Sequence, residues 1–272
     1  MTNANQIVGS HDLLFITLDT LRHDVAEDCL ARGCLPNLSR VLPEGGWQRR
    51  HSSGSFTFSA HQAFFAGFLP TPEGPGPHPR LFAARFEGSE TTTPDSFVYD
   101  APTWIEGLRA SGYRTVCIGG VGFFNEKTAL ARVLPDLFEE SYWSPELGVT
   151  SNTSTEKQVA LACRILDDAP SDQRVLLFVN VSAIHQPNCI FSCGATEDSP
   201  GTQAEALRYV DGCLPLLFDA CRRRGPTFCI VCSDHGTAYG EGGYHGHRLA
   251  HPVVWTVPYA HFVLPPSSEG VR

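Results

Sequence analysis

Four short apolar runs, each stopping abruptly at a glycine or a polar residue, constrain this chain more than any other feature. They are Leu13–Leu18 ahead of Asp19, Tyr113–Ile118 ahead of Gly119-Gly120, Val175–Val179 leading through Asn180 to His185, and Thr227–Cys232 ahead of Ser233-Asp234-His235-Gly236. Runs this short and apolar on both faces suit strands buried between two layers, which is the condition of a parallel sheet. Segments with helical spacing alternate with them. Ala101–Ser111 places Trp104, Ile105 and Leu108 on one face, with Gly112 as its stop. Thr153–Asp168 carries Val159, Leu161, Ile165 and Leu166; Gln203–Arg223 carries Ala206, Leu207, Val210, Leu214 and Leu217, with a kink expected at Pro215. The alternation predicts a three-layer α/β/α sandwich with a mostly parallel central sheet. The stretches Pro70–Pro79 and Pro94–Asp100 read as loops. The expected organisation is a tail over 1–11, a single domain over 12–264 and a tail over 265–272.

With 272 residues, 42% of them hydrophobic, the chain has ample material for a core. Its formal net charge is −9, and its longest basic run is Arg222-Arg223-Arg224. Binding to a phosphate backbone needs a basic face, so nucleic acid is not an expected partner. No apolar run approaches the roughly 20 residues that cross a bilayer, so no membrane is expected either. The opening Met-Thr-Asn-Ala-Asn-Gln lacks the basic and apolar regions of a secretion signal, and the expected location is cytoplasmic. In that compartment the ten cysteines are expected as free thiols. Cys229 and Cys232 form a C-x-x-C, but a strand points them to opposite faces, which argues against a redox pair. Cys189 and Cys193 lie in a loop with no evident third ligand.

In open α/β sheets ligands gather at the carboxyl ends of the strands, where Asp19, His185, Asp234 and His235 all fall. An Asp ending a strand commonly serves a turn or a helix cap. An Asp-His-Gly after a buried strand says more: carboxylate and imidazole are ligands that hold zinc or manganese, and the glycine permits the turn. Thr57, in Gly54-Ser-Phe-Thr57-Phe-Ser-Ala-His61, begins a segment that reads as a short helix with Phe58, Phe64 and Phe65 inward, stopped by Gly67 and Pro70. It reads either as an N-cap or as a nucleophile. Exposed N–H groups and the helix dipole favour a developing alkoxide and an incoming phosphoryl group there, and a metal would lower the hydroxyl's pKa further.

At these positions the sequence resembles the sulfatase-like branch of the alkaline phosphatase superfamily. Leu18-Asp19-Thr20-Leu21-Arg22-His23-Asp24 is similar to the branch's opening metal-binding strand end, and Pro36-Asn37-Leu38 to the element that follows it. Thr57-Phe-Ser-Ala-His61 with Ala66-Gly67-Phe-Leu-Pro70 falls where sulfatases carry C-x-P-S-R and then T-G-x-x-P. Ser233-Asp234-His235-Gly236 with Gly246-His247 resembles S-D-H-G … G-K, while Gly112-Tyr113-Arg114-Thr115 and Tyr209-Val210-Asp211 fit further elements, in order from about residue 12 to 262. The resemblance implies that Asp19, Thr57, Asp234 and His235 surround one divalent cation, zinc or manganese, with Thr57 both ligand and nucleophile. It implies that His185 contacts substrate and that His247 stands where sulfatases place an anion-contacting lysine. His61 replaces the family's arginine and is expected in substrate binding, as is His245. The spacing of His245, His247 and His251 also leaves open a second metal.

The departures narrow the chemistry. Sulfatases make formylglycine from Cys or Ser; threonine cannot yield it, so sulfate-ester hydrolysis by that route is disfavoured. A threonine is typical of phosphodiesterase, phosphonate-hydrolase and phosphoethanolamine- or phosphoglycerol-transferase relatives. Thr20 replaces the second strand-end acid, and the smaller C-terminal subdomain of the family is nearly absent, leaving loops such as 70–100 and 186–202 to select substrate. The expected activity is metal-dependent hydrolysis of a small anionic phosphate or phosphonate ester through phosphothreonine, with His185, His245 or His247 as proton donor. The alternatives are a phosphotransferase or mutase on the same scaffold, a sulfatase, or a non-catalytic metal-binding relative.

Overall fold

A computed structural model describes residues 3–67 and 102–267. The four apolar runs form β1 (Asp12–Leu18), β3 (Arg114–Ile118), β5 (Val175–Val181) and β6 (Thr227–Cys232). Three further strands, β2 (Gln48–His51), β4 (Glu140–Tyr142) and β9 (Thr256–Leu264), complete a sheet of order β2-β9-β6-β1-β5-β3-β4. The block from β6 to β4 is parallel, and β9 runs antiparallel to both β6 and β2. β1 lies at its centre, in register with β5 through Leu18↔Val181 and with β6 through Thr17↔Cys232, so the loops after all three strands open at one edge. A short hairpin, β7 (Ala238–Tyr239) with β8 (His245–Gly246), follows β6.

Strand alternation divides the core in two. Leu14, Ile16 and Leu18 of β1 and Leu177, Val179 and Val181 of β5 face a cluster shared with α2 (His23–Ala31), α6 (Ser154–Asp168) and α7 (Pro200–Arg224). Phe15, Cys117, Leu176 and Phe178 point the other way, toward α3 (Thr57–Ala66) and α4 (Trp104–Ala110). Helices thus cover both faces, as the doubly apolar strands require. Cys229 and Cys232 fall in different clusters, and all ten cysteines are free. Two one-turn helices, α5 (Ala129–Arg132) and α8 (Pro252–Trp255), sit beside the site. Among the described residues no helix is long and apolar enough to cross a membrane.

The segment expected as an N-terminal tail contains α1 (Ala4–Ile7), whose Ile7 is buried. It is pinned by Tyr113, whose hydroxyl accepts from Gly9 N and donates to the His11 carbonyl, both at 2.8 Å. At the other end, Ser267 N donates to the Arg222 carbonyl at 2.9 Å. The loops expected over 70–79 and 94–100 lie outside the described residues.

Pro215 sits inside α7, where it can offer no N–H to the Asp211 carbonyl one turn earlier. That carbonyl instead accepts from Asn37 Nδ2 at 3.1 Å. The Asp211 carboxylate accepts from Asn37 N at 3.1 Å and Leu38 N at 2.7 Å. The Pro-Asn-Leu and Tyr-Val-Asp elements are therefore two halves of one contact, which seats the segment after α2 against α7.

Candidate active site

The site is assembled where β1, β5 and β6 end. Asp19 follows β1 directly, Asp234 and His235 follow β6, and Thr57 is the first residue of α3; all four are buried. The N-cap of α3 is Phe56, without a side-chain cap, so the Thr57 hydroxyl is not consumed in capping. Gly236 is required by close approach: a Cβ there would lie 2.0 Å from the Val253 carbonyl oxygen.

Each side chain is held by one of its polar atoms and presents the other bare. Asp19 Oδ2 accepts from Asn180 Nδ2 at 2.9 Å, while Oδ1 is buried without a partner. Asp234 Oδ1 accepts from Thr20 N at 3.2 Å and His235 N at 3.0 Å, while Oδ2 is likewise orphaned. His235 Nδ1 lies 2.8 Å from the Gly236 carbonyl; a carbonyl only accepts, so Nδ1 carries the proton and Nε2 offers a lone pair. That Nε2 is 3.5 Å from Asp234 Oδ2 and 4.0 Å from Asp19 Oδ1, and the Thr57 hydroxyl is 3.4 Å from both Asp19 Oδ2 and His235 Nε2. Donor atoms of Asp19, Asp234 and His235 lie within 4.8 Å of one another. Orphaned buried carboxylate oxygens are costly, and a cation among them removes the cost. The donor set fits a divalent ion that accepts both oxygen and imidazole nitrogen.

The electrostatics point the same way. Burial raises Asp19 to about 6, with the neighbouring Asp234 adding to the rise. Burial raises Asp234 to about 7, against the backbone hydrogen bonds that hold its ionised form. Burial also lowers His235. Neutral imidazole beside strained carboxylates is a state poised for a cation.

Above the quartet opens a cleft of ≈ 390 Å³ to which Thr57, His185, His247 and Arg248 contribute. His185 Nδ1 donates to the Gln186 carbonyl at 2.6 Å, leaving Nε2 for a ligand. The His247 ring lies 4.6 Å from that of His235 and 5.6 Å from that of His185. Burial, then the proximity of His235, His185 and Arg248, lowers His247 to about 3, so it is neutral near pH 7.

Three sequence expectations are corrected here. His61 does not face substrate: it is fully buried, with its ring 5.3–5.7 Å from those of Phe64, Phe65, Phe124 and Phe178. Its Nδ1 donates to the Thr57 carbonyl at 2.8 Å and its Nε2 accepts from Thr17 Oγ1 at 3.2 Å. Lying one helical turn after Thr57, it packs beneath the site. His245 is exposed on the hairpin opposite Tyr239 and lines no part of the cleft. The second metal has no basis in His245, His247 and His251: among the described residues, Asp19, Asp234 and His235 form the one group with metal-ligand spacing. His251 is engaged as the N-cap of α8, its Nδ1 accepting from Val253 N at 3.3 Å.

Three contributors escaped the sequence reading. Asn180 aligns Asp19, and it could have been noticed as an amide inside an apolar strand. Arg248 brings a cation to the cleft, and nothing in its local sequence marks it. Tyr239 is the third: its hydroxyl accepts from Asn188 Nδ2 at 2.9 Å and Gln203 Nε2 at 3.1 Å. Gln203 also donates to the Thr20 carbonyl at 2.9 Å, and Asn188 to the Ile184 carbonyl at 3.0 Å. Arg22, paired with Asp24 and with Glu241 of the hairpin, closes the same network. The loops after β1, β5 and β6 are thereby tied together behind the quartet.

A three-layer sandwich with such a quartet at the carboxyl ends of its parallel strands defines a site for ester chemistry assisted by a divalent metal. The chain belongs to the Sulfatase family, whose model matches residues 11–259, and so to the alkaline-phosphatase-like superfamily, whose members act on sulfate and phosphate esters. A comparison with curated proteins finds no match. Among solved structures, the C-terminal periplasmic domain of phosphoethanolamine transferase EptC from Campylobacter jejuni is similar, with TM-score 0.61 and 14% identity over 93% of this chain and 80% of that one. The corresponding EptC domain from Escherichia coli, in complex with Zn, gives TM-score 0.61 and 14% identity over 96% and 75%. The lipoteichoic acid synthase LtaP from Listeria monocytogenes gives TM-score 0.61 and 15% identity over 96% and 66%.

Proposed function

We propose that this chain is a metal-dependent hydrolase of phosphate or phosphonate esters that uses Thr57 as its nucleophile. One observation carries the reading: a threonine hydroxyl, uncommitted to capping, stands at the first turn of α3 among the bare donor atoms of Asp19, Asp234 and His235. A divalent cation held by these four residues, zinc or manganese by donor type, supplies Lewis-acid stabilisation of the alkoxide and of charge on the phosphoryl group.

The rest follows from the chain's own groups. Thr57 Oγ passes its proton to the bare Nε2 of His185 and forms a bond to phosphorus while the bond from phosphorus to the leaving oxygen breaks. The N–H groups at the start of α3 face the charge that develops. His185 then gives that proton from Nε2 to the departing alkoxide. His185, its Nε2 bare again, takes a proton from the water that attacks phosphothreonine and passes it to Thr57 Oγ as that oxygen leaves, while His247, lowered by burial, faces the phosphoryl group as a neutral imidazole. Thr57→Ala is expected to lower turnover of p-nitrophenyl phosphate esters by at least about 10³-fold, with metal content and melting unchanged. Retention of full activity by that variant would remove the threonine from the reaction.

The second reading is group transfer to an acceptor hydroxyl. It is favoured by the resemblance in fold to the phosphoethanolamine transferases from Campylobacter jejuni and Escherichia coli. Turnover in oxygen-18 water separates the two, because hydrolysis labels the released phosphate and transfer does not.

A further inference from the structure

The cleft above Thr57 has two unlike halves. One holds Thr57, His185, His247 and Arg248; the other is built from Val121, Phe123, Leu130 and Val149, with the polar Asn125 and Thr128 among them. Among the described residues Arg248 is the one Lys or Arg lining it, and no carboxylate does. Arg248 occupies a left-handed backbone position (φ 68°) that a long side chain seldom adopts, held by a hydrogen bond from its N to the Ser55 carbonyl at 2.8 Å. Its guanidinium lies 5.4 Å from the centre of the Phe56 ring. The Phe123 ring in turn lies 6.0 Å from Phe56 and 5.6 Å from Phe58. Cation and apolar wall are therefore mounted on one aromatic stack. Leu130 is 51% exposed on that wall, so its side chain is within reach of a bound molecule.

We infer that the cleft selects a monoanionic phosphodiester that carries one apolar substituent, with Arg248 holding the phosphoryl anion and the Phe123–Leu130 wall holding the substituent. One cation matches one negative charge, and the large side chains of the wall, Phe123 and Leu130, are apolar. The inference rests on the phosphoester reading above and adds the substrate class and the two elements that choose it.

The test uses methyl p-nitrophenyl phosphate and butyl p-nitrophenyl phosphate, which share charge and leaving group and differ by three methylenes. The wild type with metal is expected to favour the butyl ester by at least about tenfold in kcat/KM. Leu130→Ser, at an exposed position where folding is not at stake, is expected to cut that preference to less than about threefold. Phe123→Ala is expected to do the same. Arg248→Met is expected to lower kcat/KM for both esters by a common factor of about 10–100. Equal kcat/KM for the two esters, with turnover still dependent on Thr57, overturns the inference and leaves the phosphoester reading standing. An unchanged kcat/KM in Arg248→Met overturns the role of the arginine. No turnover of either ester by the metal-loaded wild type overturns the phosphoester reading and this inference with it.

Discussion

Replacing Asp234 by Asn should make the metal-free protein more stable and the metal-loaded protein inert. Asp234 is fully buried and its pKa rises from 3.8 to about 7, so its ionised form opposes folding. At 1.36 kcal/mol per pKa unit, that rise corresponds to about 4 kcal/mol at pH values well above 7. The sign is set by proton uptake: between the two pKa values the folded state binds more protons than the unfolded one, so stability falls as pH rises through that window. Evaluated across it, the Asp234 contribution worsens by about 2–3 kcal/mol between about pH 5 and about pH 8. Asparagine keeps the oxygen that accepts from Thr20 N and His235 N, carries no charge, and places N–H groups toward the His235 Nε2 lone pair, which lies 3.5 Å from Oδ2. Asp234 also helps to raise Asp19, so its removal relieves a second buried carboxylate and widens the gap in the same direction as pH rises. Urea unfolding of chelator-treated wild type and Asp234→Asn at both pH values measures the gap. The stability gap should favour the variant and widen with pH, at unchanged m-values. Adding metal should close most of the gap, since wild type alone gains about 2.7 kcal/mol at a hundredfold excess of metal over Kd. A variant less stable than wild type at pH 8 without metal, or a gap indifferent to pH, would refute the argument that burial of unpaired charge governs this site.

Tyr239→Phe leaves Asn188 Nδ2 and Gln203 Nε2 short of a buried acceptor. A loss of about 1–3 kcal/mol in urea unfolding is expected, with a rise in KM as the hairpin bearing His247 loosens. His61 should stay neutral well below pH 6, since burial lowers its pKa to about 3, and imidazole NMR signals followed down to the acid transition will show it. His61→Ala, which opens a cavity among phenylalanines, should cost about 3 kcal/mol or more in stability, and folded variant should still bind metal.

The sequence announced those parts of the fold whose residues had no other use. The runs that became β1, β3, β5 and β6 are apolar on both faces because they are covered on both faces, and no competing reading fits them. β2 reads Gln-Arg-Arg-His, since an edge strand keeps much of its surface in water, and carries no apolar signal. β9 was hidden by Pro258, which is tolerated because it lies beyond the last β6 pair, Cys232↔Tyr259, and faces only the edge strand β2. In the site, Asp19, Asp234 and His235 were legible because each ends an apolar run. Thr57 was legible through the helix that follows it. His61 misled because spacing along the chain does not distinguish the residue at a helix mouth from one a turn deeper. The histidines at 245, 247 and 251 misled because Gly246 has φ 81°, a turn that breaks the regular direction their spacing assumed.

The proline in α7 reaches further than its own helix. By withdrawing a donor at position 215 it keeps an acceptor vacant at Asp211, and the group that takes it, Asn37, is 174 residues away in sequence. Local structure forms early in folding and distant pairings late. On that order the helix would mature with its receptor carbonyl already open and wait for the amino-terminal half to find it. The residue that weakens α7 as an isolated helix thus gives the two halves of the chain a keyed point of assembly.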